Sequence, residues 1–194
     1  MLFRSIEAIN EIAAGKAIIA TGVGQHQMWA AQYFDFHHPR LWLTSGSMGT
    51  MGFGLPACIG AAFGRPKDIH VCFVGDGGFQ MTFFELATAA LHKLPIKIIV
   101  LNNHYLGMVR QWQELFFDGN YSQTCLPRIP DFVKLAEAYG AKGFRATKPE
   151  EVPGVLRKGF AADGPVLIDV ITDPDEMVYP MVPAGAGLTE MLLV

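Results

Sequence analysis

Ile69-His70-Val71-Cys72-Phe73-Val74 runs directly into Gly75-Asp76-Gly77-Gly78-Phe79. The first six residues are apolar at five positions and lack the in–out alternation of a half-exposed strand. Such a run suits a parallel sheet covered on both faces. The five residues that follow form a glycine-rich turn around one carboxylate. In open α/β sheets, ligands lie beyond the carboxyl ends of the strands, so this junction is where a site is expected.

Three further runs share this character, over residues 17–21, 96–101 and 166–171. Residues 41–44 and 143–146 read as shorter strands. Helical stretches lie between them, over 27–33, 49–63, 80–92, 108–117, 130–139 and 149–162. Pro130 and Pro149 stand at two of the starts, where a missing N–H costs nothing. Strand and helix alternate along the chain, which predicts the α/β class: a doubly wound, mostly parallel sheet with helices on both faces. One domain is expected, with its core over 1–172 and a tail over 173–194. Pro174, Pro180 and Pro183 and the lack of periodicity place that tail along the surface or over a site.

The 194 residues are 51% hydrophobic and only 17% charged, with a formal net charge of −3. Mean hydropathy is +0.26. This is no disordered chain. No apolar run approaches the roughly 20 residues that cross a bilayer, and there is no basic footprint for nucleic acid. Met1-Leu2-Phe3-Arg4-Ser5-Ile6-Glu7 lacks the apolar core and cleavage site of a signal peptide. Cys58, Cys72 and Cys125 are odd in number and include no CxxC pair. That points to reduced thiols in a cytosolic protein rather than to a disulfide framework or a zinc site. The low charge predicts surface made for other domains or subunits.

Three strand ends carry the candidate chemistry. After residues 17–21 comes Gly22-Val23-Gly24-Gln25-His26. After 69–74 comes Gly75-Asp76-Gly77-Gly78. After 96–101 comes Asn102-Asn103-His104-Tyr105-Leu106-Gly107-Met108. Gly22-Val23-Gly24 matches only part of GxGxxG, with Gln27 in the third glycine place, and no P-loop is present. Asp76 and Asn103 are different. Their loops are separated by residues 78–101, 24 positions. Asp and Asn oxygens on adjacent loops suit Mg²⁺, which takes one or two protein carboxylates and fills its octahedron with phosphate, carbonyl and water. Gly77 and Gly78 let phosphate oxygens approach backbone N–H groups. Each loop alone has a plainer reading, with Asp76 capping a helix and Asn103 forming a turn. The two together, each at a strand end, favour a metal–diphosphate site.

GDG, then 24 residues, then NN is the thiamine-diphosphate motif, and nearly the whole chain resembles the C-terminal thiamine-diphosphate-binding domain of the acetolactate synthases, large catalytic subunit. The resemblance rests on Gly22-Val23-Gly24-Gln25-His26-Gln27-Met28-Trp29-Ala30-Ala31-Gln32, on Gly49-Thr50-Met51-Gly52-Phe53-Gly54-Leu55-Pro56-Ala57, on the motif, on Gly107-Met108-Val109-Arg110-Gln111-Trp112-Gln113 and on Pro180-Met181-Val182-Pro183. It implies Mg²⁺ ligation by Asp76, the Asn103 side chain and the Tyr105 carbonyl. It implies a diphosphate cradle of Gly24, Gln25, His26, Gly77, Gly78, Gly107 and Met108, with Gly75 opening the motif. Val23 and Gly49 match backbone contacts to the aminopyrimidine. Met51 matches the residue that props the cofactor in its bent form. Met108, Val109 and Trp112 match the substrate channel. The plainer readings are that Met51, Met108 and Trp112 fill the core and that His26 is a satisfied surface group. Two departures stand out: Gly77-Gly78 where these enzymes often have Ala-Ser or Gly-Ser, and His104-Tyr105 where acidic residues are common.

The resemblance further implies a transferase that condenses two pyruvates, or pyruvate and 2-ketobutyrate, to 2-acetolactate or 2-aceto-2-hydroxybutyrate with loss of CO₂, in branched-chain amino-acid synthesis. It implies 2-keto-acid substrates, a homodimer or homotetramer, a regulatory small subunit and FAD bound mostly outside this domain. The family's N-terminal pyrimidine-binding domain, which supplies the glutamate against N1′ of the cofactor from the neighbouring subunit, and its middle FAD domain have no counterpart in these residues. Little or no carboligase activity is therefore expected of the chain alone. Two alternatives stay open: a whole subunit of a split thiamine-diphosphate 2-keto-acid decarboxylase, and a non-catalytic binding module.

Overall fold

The computed structural model describes residues 2–193. Six strands form one sheet: β1 (Ile18–Thr21), β2 (Trp42–Thr44), β3 (His70–Gly75), β4 (Ile96–Asn102), β5 (Lys142–Ala146) and β6 (Val166–Ile171). Their order is β2-β1-β3-β4-β6-β5, and every pairing is parallel. The chain winds outward from β1 to β2, then crosses to β3 on the other side, so a topological switch falls between β1 and β3. The α/β, doubly wound expectation is met. Because the sheet is buried on both faces, β4 is buried at all seven positions, which is why its sequence shows no alternation.

Among the described residues eight α-helices surround the sheet: α1 (Leu2–Ala13), α2 (Gln25–Tyr33), α3 (Gly54–Gly64), α4 (Asp76–Phe79), α5 (Leu86–Leu91), α6 (Gly107–Phe116), α7 (Phe132–Ala138) and α8 (Val152–Ala161). On one face Ile6 and Ile9 of α1, Trp29 of α2 and Leu156 of α8 pack on Val71, Phe73, Ile99 and Ile168. On the other, Leu55 and Cys58 of α3, Phe79 of α4, Leu86 of α5 and Phe132 of α7 pack on Cys72, Val74, Ile98 and Val100. Neighbouring residues of one strand serve opposite cores, as the pleat requires.

Helix α1 was not among the sequence expectations. Its signal was Ile6, Ile9 and Ala13, spaced for one face and all buried. Several boundaries also differ. The stretch 80–92 is not one helix. Thr82 leaves helical geometry at φ −142 and its hydroxyl donates to the Gly52 carbonyl at 2.9 Å, so a short 3₁₀ turn (Phe83–Glu85) precedes α5. The stretch 49–63 becomes helical only at Gly54, because Gly49 and Gly52 have φ of +60° and +90°. Helix α7 starts not with Pro130 but after Asp131, whose carboxylate accepts from the N–H groups of Val133 and Lys134. Helix α2 begins two residues earlier than expected, at Gln25, which has a consequence for the site. No helix among the described residues is long and apolar enough to cross a membrane.

Candidate functional site

The carboxyl ends of β1, β3 and β4 open into one cleft of about 230 Å³. Its walls carry every residue assigned above to cofactor or metal: Val23, Gly24, Gln25, His26, Gly49, Met51, Gly75, Asp76, Gly77, Gly78, Asn103, Tyr105, Gly107 and Met108. Trp112 is not on this cleft. It stands half-exposed over an adjoining apolar groove that Met108 and Met28 also border. The β3–β4 register explains how residues so far apart in sequence meet. Gly75 pairs with Leu101, so the turns after each strand leave the sheet side by side.

Two helix first turns face the cleft. Gly24, at φ +144 and ψ −161, ends the loop after β1 and starts α2. That conformation is open essentially to glycine alone. Gln25 and His26 thereby lie in the first turn of α2, and Gly107 and Met108 in the first turn of α6. The free N–H groups and positive ends of such turns favour anions. Gly107 is required by space: a Cβ there would lie 2.0 Å from Gln25 Oε1 and 2.7 Å from Asn103 Nδ2. At Gly78 the nearest atom to a Cβ would be Met51 Cε at 3.8 Å, so a small side chain fits there.

Asp76 is 1% exposed. Its Oδ1 accepts the Gly77 N–H at 3.0 Å, while Oδ2 is buried without a partner. Burial pushes its pKa from 3.8 up to about 6, against the opposing Gly77 N–H and the adjacent His104. A buried carboxylate oxygen left bare in a cleft is a place where a cation can supply the missing partner. Asn103 forms the turn that the plainer reading expected, its Oδ1 accepting the Tyr105 N–H at 3.0 Å. It also faces the cleft, and its Nδ2 donates to Gln25 Oε1 at 3.3 Å. No cluster of three His, Cys, Asp or Glu that could hold a metal is found among the described residues. A cation here would therefore be held by one carboxylate and neutral oxygens, a donor set that fits Mg²⁺ carrying a diphosphate and suits neither zinc nor other soft metals. An antiparallel bridge pins the loop from below, Leu106 N–H to the Thr124 carbonyl at 2.8 Å and Leu126 N–H to the His104 carbonyl at 2.7 Å.

Gln111 is a site residue the sequence reading did not single out. It is 1% exposed. Its amide accepts the Val178 N–H at 2.8 Å and donates to the Val178 carbonyl at 2.9 Å. Gln25 Nε2 donates to Gln111 Oε1 at 3.0 Å and to the Glu176 carbonyl at 2.9 Å. The tail thus crosses between α2 and α6, held by two buried glutamines. Nothing in a local pattern distinguishes Gln111 from a surface glutamine.

His26 is buried, not the surface group of the plainer reading. Its ring fills the space that side chains at Gly22, Gly24 and Gly75 would take. Nε2 has no partner, and burial lowers its pKa from 6.5 to about 4, with the Gly22 backbone opposing in part. The folded state keeps His26 neutral while the unfolded chain protonates it below 6.5. His26 therefore removes stability as pH falls from 6.5 through 4. In paired denaturant melts, His26→Gln should gain on the parent across that window by on the order of 2–3 kcal/mol. Parallel pH profiles would contradict the burial argument.

The molecule is thus an α/β domain with a cleft at the carboxyl edge of a parallel sheet, faced by one buried carboxylate and two helix first turns. Residues 22–170 match the family described as "Thiamine pyrophosphate enzyme, C-terminal TPP binding domain", and the chain belongs to that family. It is 45% identical over 97% of its length to the acetolactate synthase large subunit of Haemophilus influenzae. It is 51% identical over 96% to the acetolactate synthase of Mycobacterium leprae, and 44% over 97% to the acetolactate synthase isozyme 3 large subunit of Escherichia coli. The chain spans about a third of the length of these relatives, 33%, 31% and 33% respectively.

Proposed function

We propose that this chain is the thiamine-diphosphate- and Mg²⁺-binding domain of an acetolactate synthase large catalytic subunit. The observation that carries the reading is the buried, unpartnered Asp76 Oδ2 on the wall of a cleft bounded by two helix first turns. Asp76, Asn103 and the Tyr105 carbonyl would hold Mg²⁺. The N–H groups around Gly24, Gln25, Gly107 and Met108, with Gly77 and Gly78, would hold the diphosphate. Met51 would support the cofactor between its two ring systems, with Val23 and Gly49 at the aminopyrimidine. When bound, thiamine diphosphate supplies a nucleophilic carbon and an electron sink for decarboxylating a 2-keto acid and passing on its two-carbon unit.

The chain's own residues then position and enclose. Gln25, tied to Asn103 and Gln111, keeps the cradle and the metal ligand in one rigid unit. Met108 and Met28, with Trp112 beyond them, present an apolar path from the cleft to the groove. That path would suit exclusion of water from the reacting atoms and selection of small 2-keto acids, pyruvate and 2-ketobutyrate. The large exposed apolar residues Met48, Met81 and Phe84, on the stretches next to Gly49 and following Gly78, support a partner surface, as a dimer that supplies the N1′ glutamate would need; a regulatory small subunit and FAD would belong to the same assembly. None of the three cysteines is disulfide-bonded, which supports a reducing compartment such as the cytoplasm.

Calorimetric titration of the chain with thiamine diphosphate should show binding in Mg²⁺ and none after chelation. Acetolactate should form from pyruvate only when the chain is joined to the pyrimidine-binding domain of a relative. Binding indifferent to divalent metal, or acetolactate from the chain alone, would overturn the proposal.

A further inference from the structure

Three polar side chains lie in line across the carboxyl half of the sheet, on the face covered by α3, α5 and α7. They are Arg145 on β5, Asp169 on β6 and Asn102 at the end of β4. Asp169 is 1% exposed and Asn102 2%. Arg145 and Asp169 are register partners, and Arg145 Nε donates to Asp169 Oδ2 at 2.9 Å. Asn102 Nδ2 donates to the other oxygen, Asp169 Oδ1, at 3.1 Å. The Asn102 amide oxygen is then left facing forward, and it accepts the His104 N–H at 3.3 Å. His104 is a non-glycine residue at φ +60, a left-handed geometry that local side-chain acceptors sustain. The next hydrogen bond in the same turn is that of Asn103 Oδ1 with the Tyr105 N–H. The His104 backbone also sits beside Asp76.

The geometry points to Asp169 as a positioning residue for the metal loop. Through Asn102 it holds the left-handed turn that sets Asn103 and the Tyr105 carbonyl opposite Asp76. Asp169 itself lies outside the cleft. Its carboxylate has two acceptor oxygens, and both are needed: one orients the Asn102 amide, the other is neutralised by Arg145. An amide at 169 would put an N–H₂ against one of those two donors. The first Asn of the pair thus acts by shaping the loop, and the second by ligation. The inference rests on the Mg²⁺–thiamine-diphosphate reading of the cleft.

Three forms of the chain test it: Asp169→Asn, the exchanged pair Asp169→Asn with Asn102→Asp, and the parent. In the exchanged pair the amide at 169 donates to a carboxylate at 102, which still accepts the His104 N–H, while the amide oxygen still accepts from Arg145. Amide hydrogen exchange at His104 and Tyr105 reads the turn without any ligand, and calorimetry reads Mg²⁺–thiamine-diphosphate affinity. Asp169→Asn should speed exchange at both amides and weaken binding by about 10- to 30-fold, within the range for residues that orient metal ligands; the exchanged pair should restore both. A general loss of packing would not be rescued by the exchange. Should Asp169→Asn fail to fold, Asn102→Ala, which leaves the Asp169–Arg145 pair intact, carries the same expectation. Unchanged exchange, unchanged affinity or failed rescue each overturns the inference. Absence of binding by the parent overturns instead the functional reading and the metal half of the inference with it, while exchange still decides whether Asp169 holds the turn.

Discussion

Asp76→Ala is expected to weaken Mg²⁺–thiamine-diphosphate binding by at least about 100-fold, nearly 3 kcal/mol, and at the same time to stabilise the unliganded chain at neutral pH. The first effect follows from removing the only carboxylate among the residues that would hold the cation. The second follows from burial. Oδ2 has no partner, and the folded-state pKa stands at about 6 against 3.8 when unfolded. The folded state binds the proton more tightly, so ionising Asp76 opposes folding. That cost is absent below about 3.8, grows as pH rises through 6 and is complete above it. A shift of this size corresponds to on the order of 2–3 kcal/mol. In a domain of this length 2 kcal/mol is roughly 4–8 °C in melting temperature. Thermal melts at about pH 7.5 and pH 4, each with and without the variant, separate the two states, because the gain should vanish at the lower pH. Equal melting temperatures at both, with binding intact, would remove Asp76 from the site. Stability given up at a binding residue is what a site built for a cation requires, since the ion supplies the missing partner.

Gly54→Ala should cause the largest loss of stability of the changes considered, about 3 kcal/mol, in the upper range for overpacking. A Cβ at 54 would lie 2.6 Å from the Gly22 nitrogen and 2.9 Å from the Thr21 carbonyl carbon. Both are backbone, so neither can swing aside. Helix α3 would have to lift from the end of β1, taking Leu55 and Cys58 out of one core and tilting the loop that carries Gly24. A fall of roughly 6–12 °C in melting temperature is expected, with weaker cofactor binding as a secondary result. A fall of under 2 °C would show that the junction has more room than the backbone distances allow.

The candidate site was legible to a large degree because its essential pieces are short. A glycine turn, a carboxylate and an Asn pair each follow a recognisable apolar run, and the parallel arrangement sends all three runs out on the same edge. The strands were legible for the same reason: β4 is buried at all seven positions and β6 at its first five, so runs of five to seven neighbouring residues report one environment. Helix boundaries were less legible. The end of a helix depends on single contacts, such as Thr82 reaching the Gly52 carbonyl or the turn geometry of Gly49 and Gly52, and spacing does not encode those. Trp112 illustrates the limit from the other side. Its helix was expected, yet only packing placed it over the neighbouring groove rather than the cleft.

The amino-acid order alone settles which runs must be buried and which turns can bring backbone close to an anion, since burial and glycine geometry are properties of a few adjacent residues. It does not settle partners. That Asp76 and Asn103 share a cleft depends on β3 pairing with β4, with Gly75 opposite Leu101. That Gln25 meets Gln111 and Asn103, 86 and 78 residues away, depends on β1 and β4 sending their chain on from the same edge of the sheet, and that Asn102 meets Asp169 across 67 depends on β4 pairing with β6. Neutral polar side chains carry no periodic signal. Their partners emerge only once burial has removed water and left each one to find an acceptor or donor in the assembled fold.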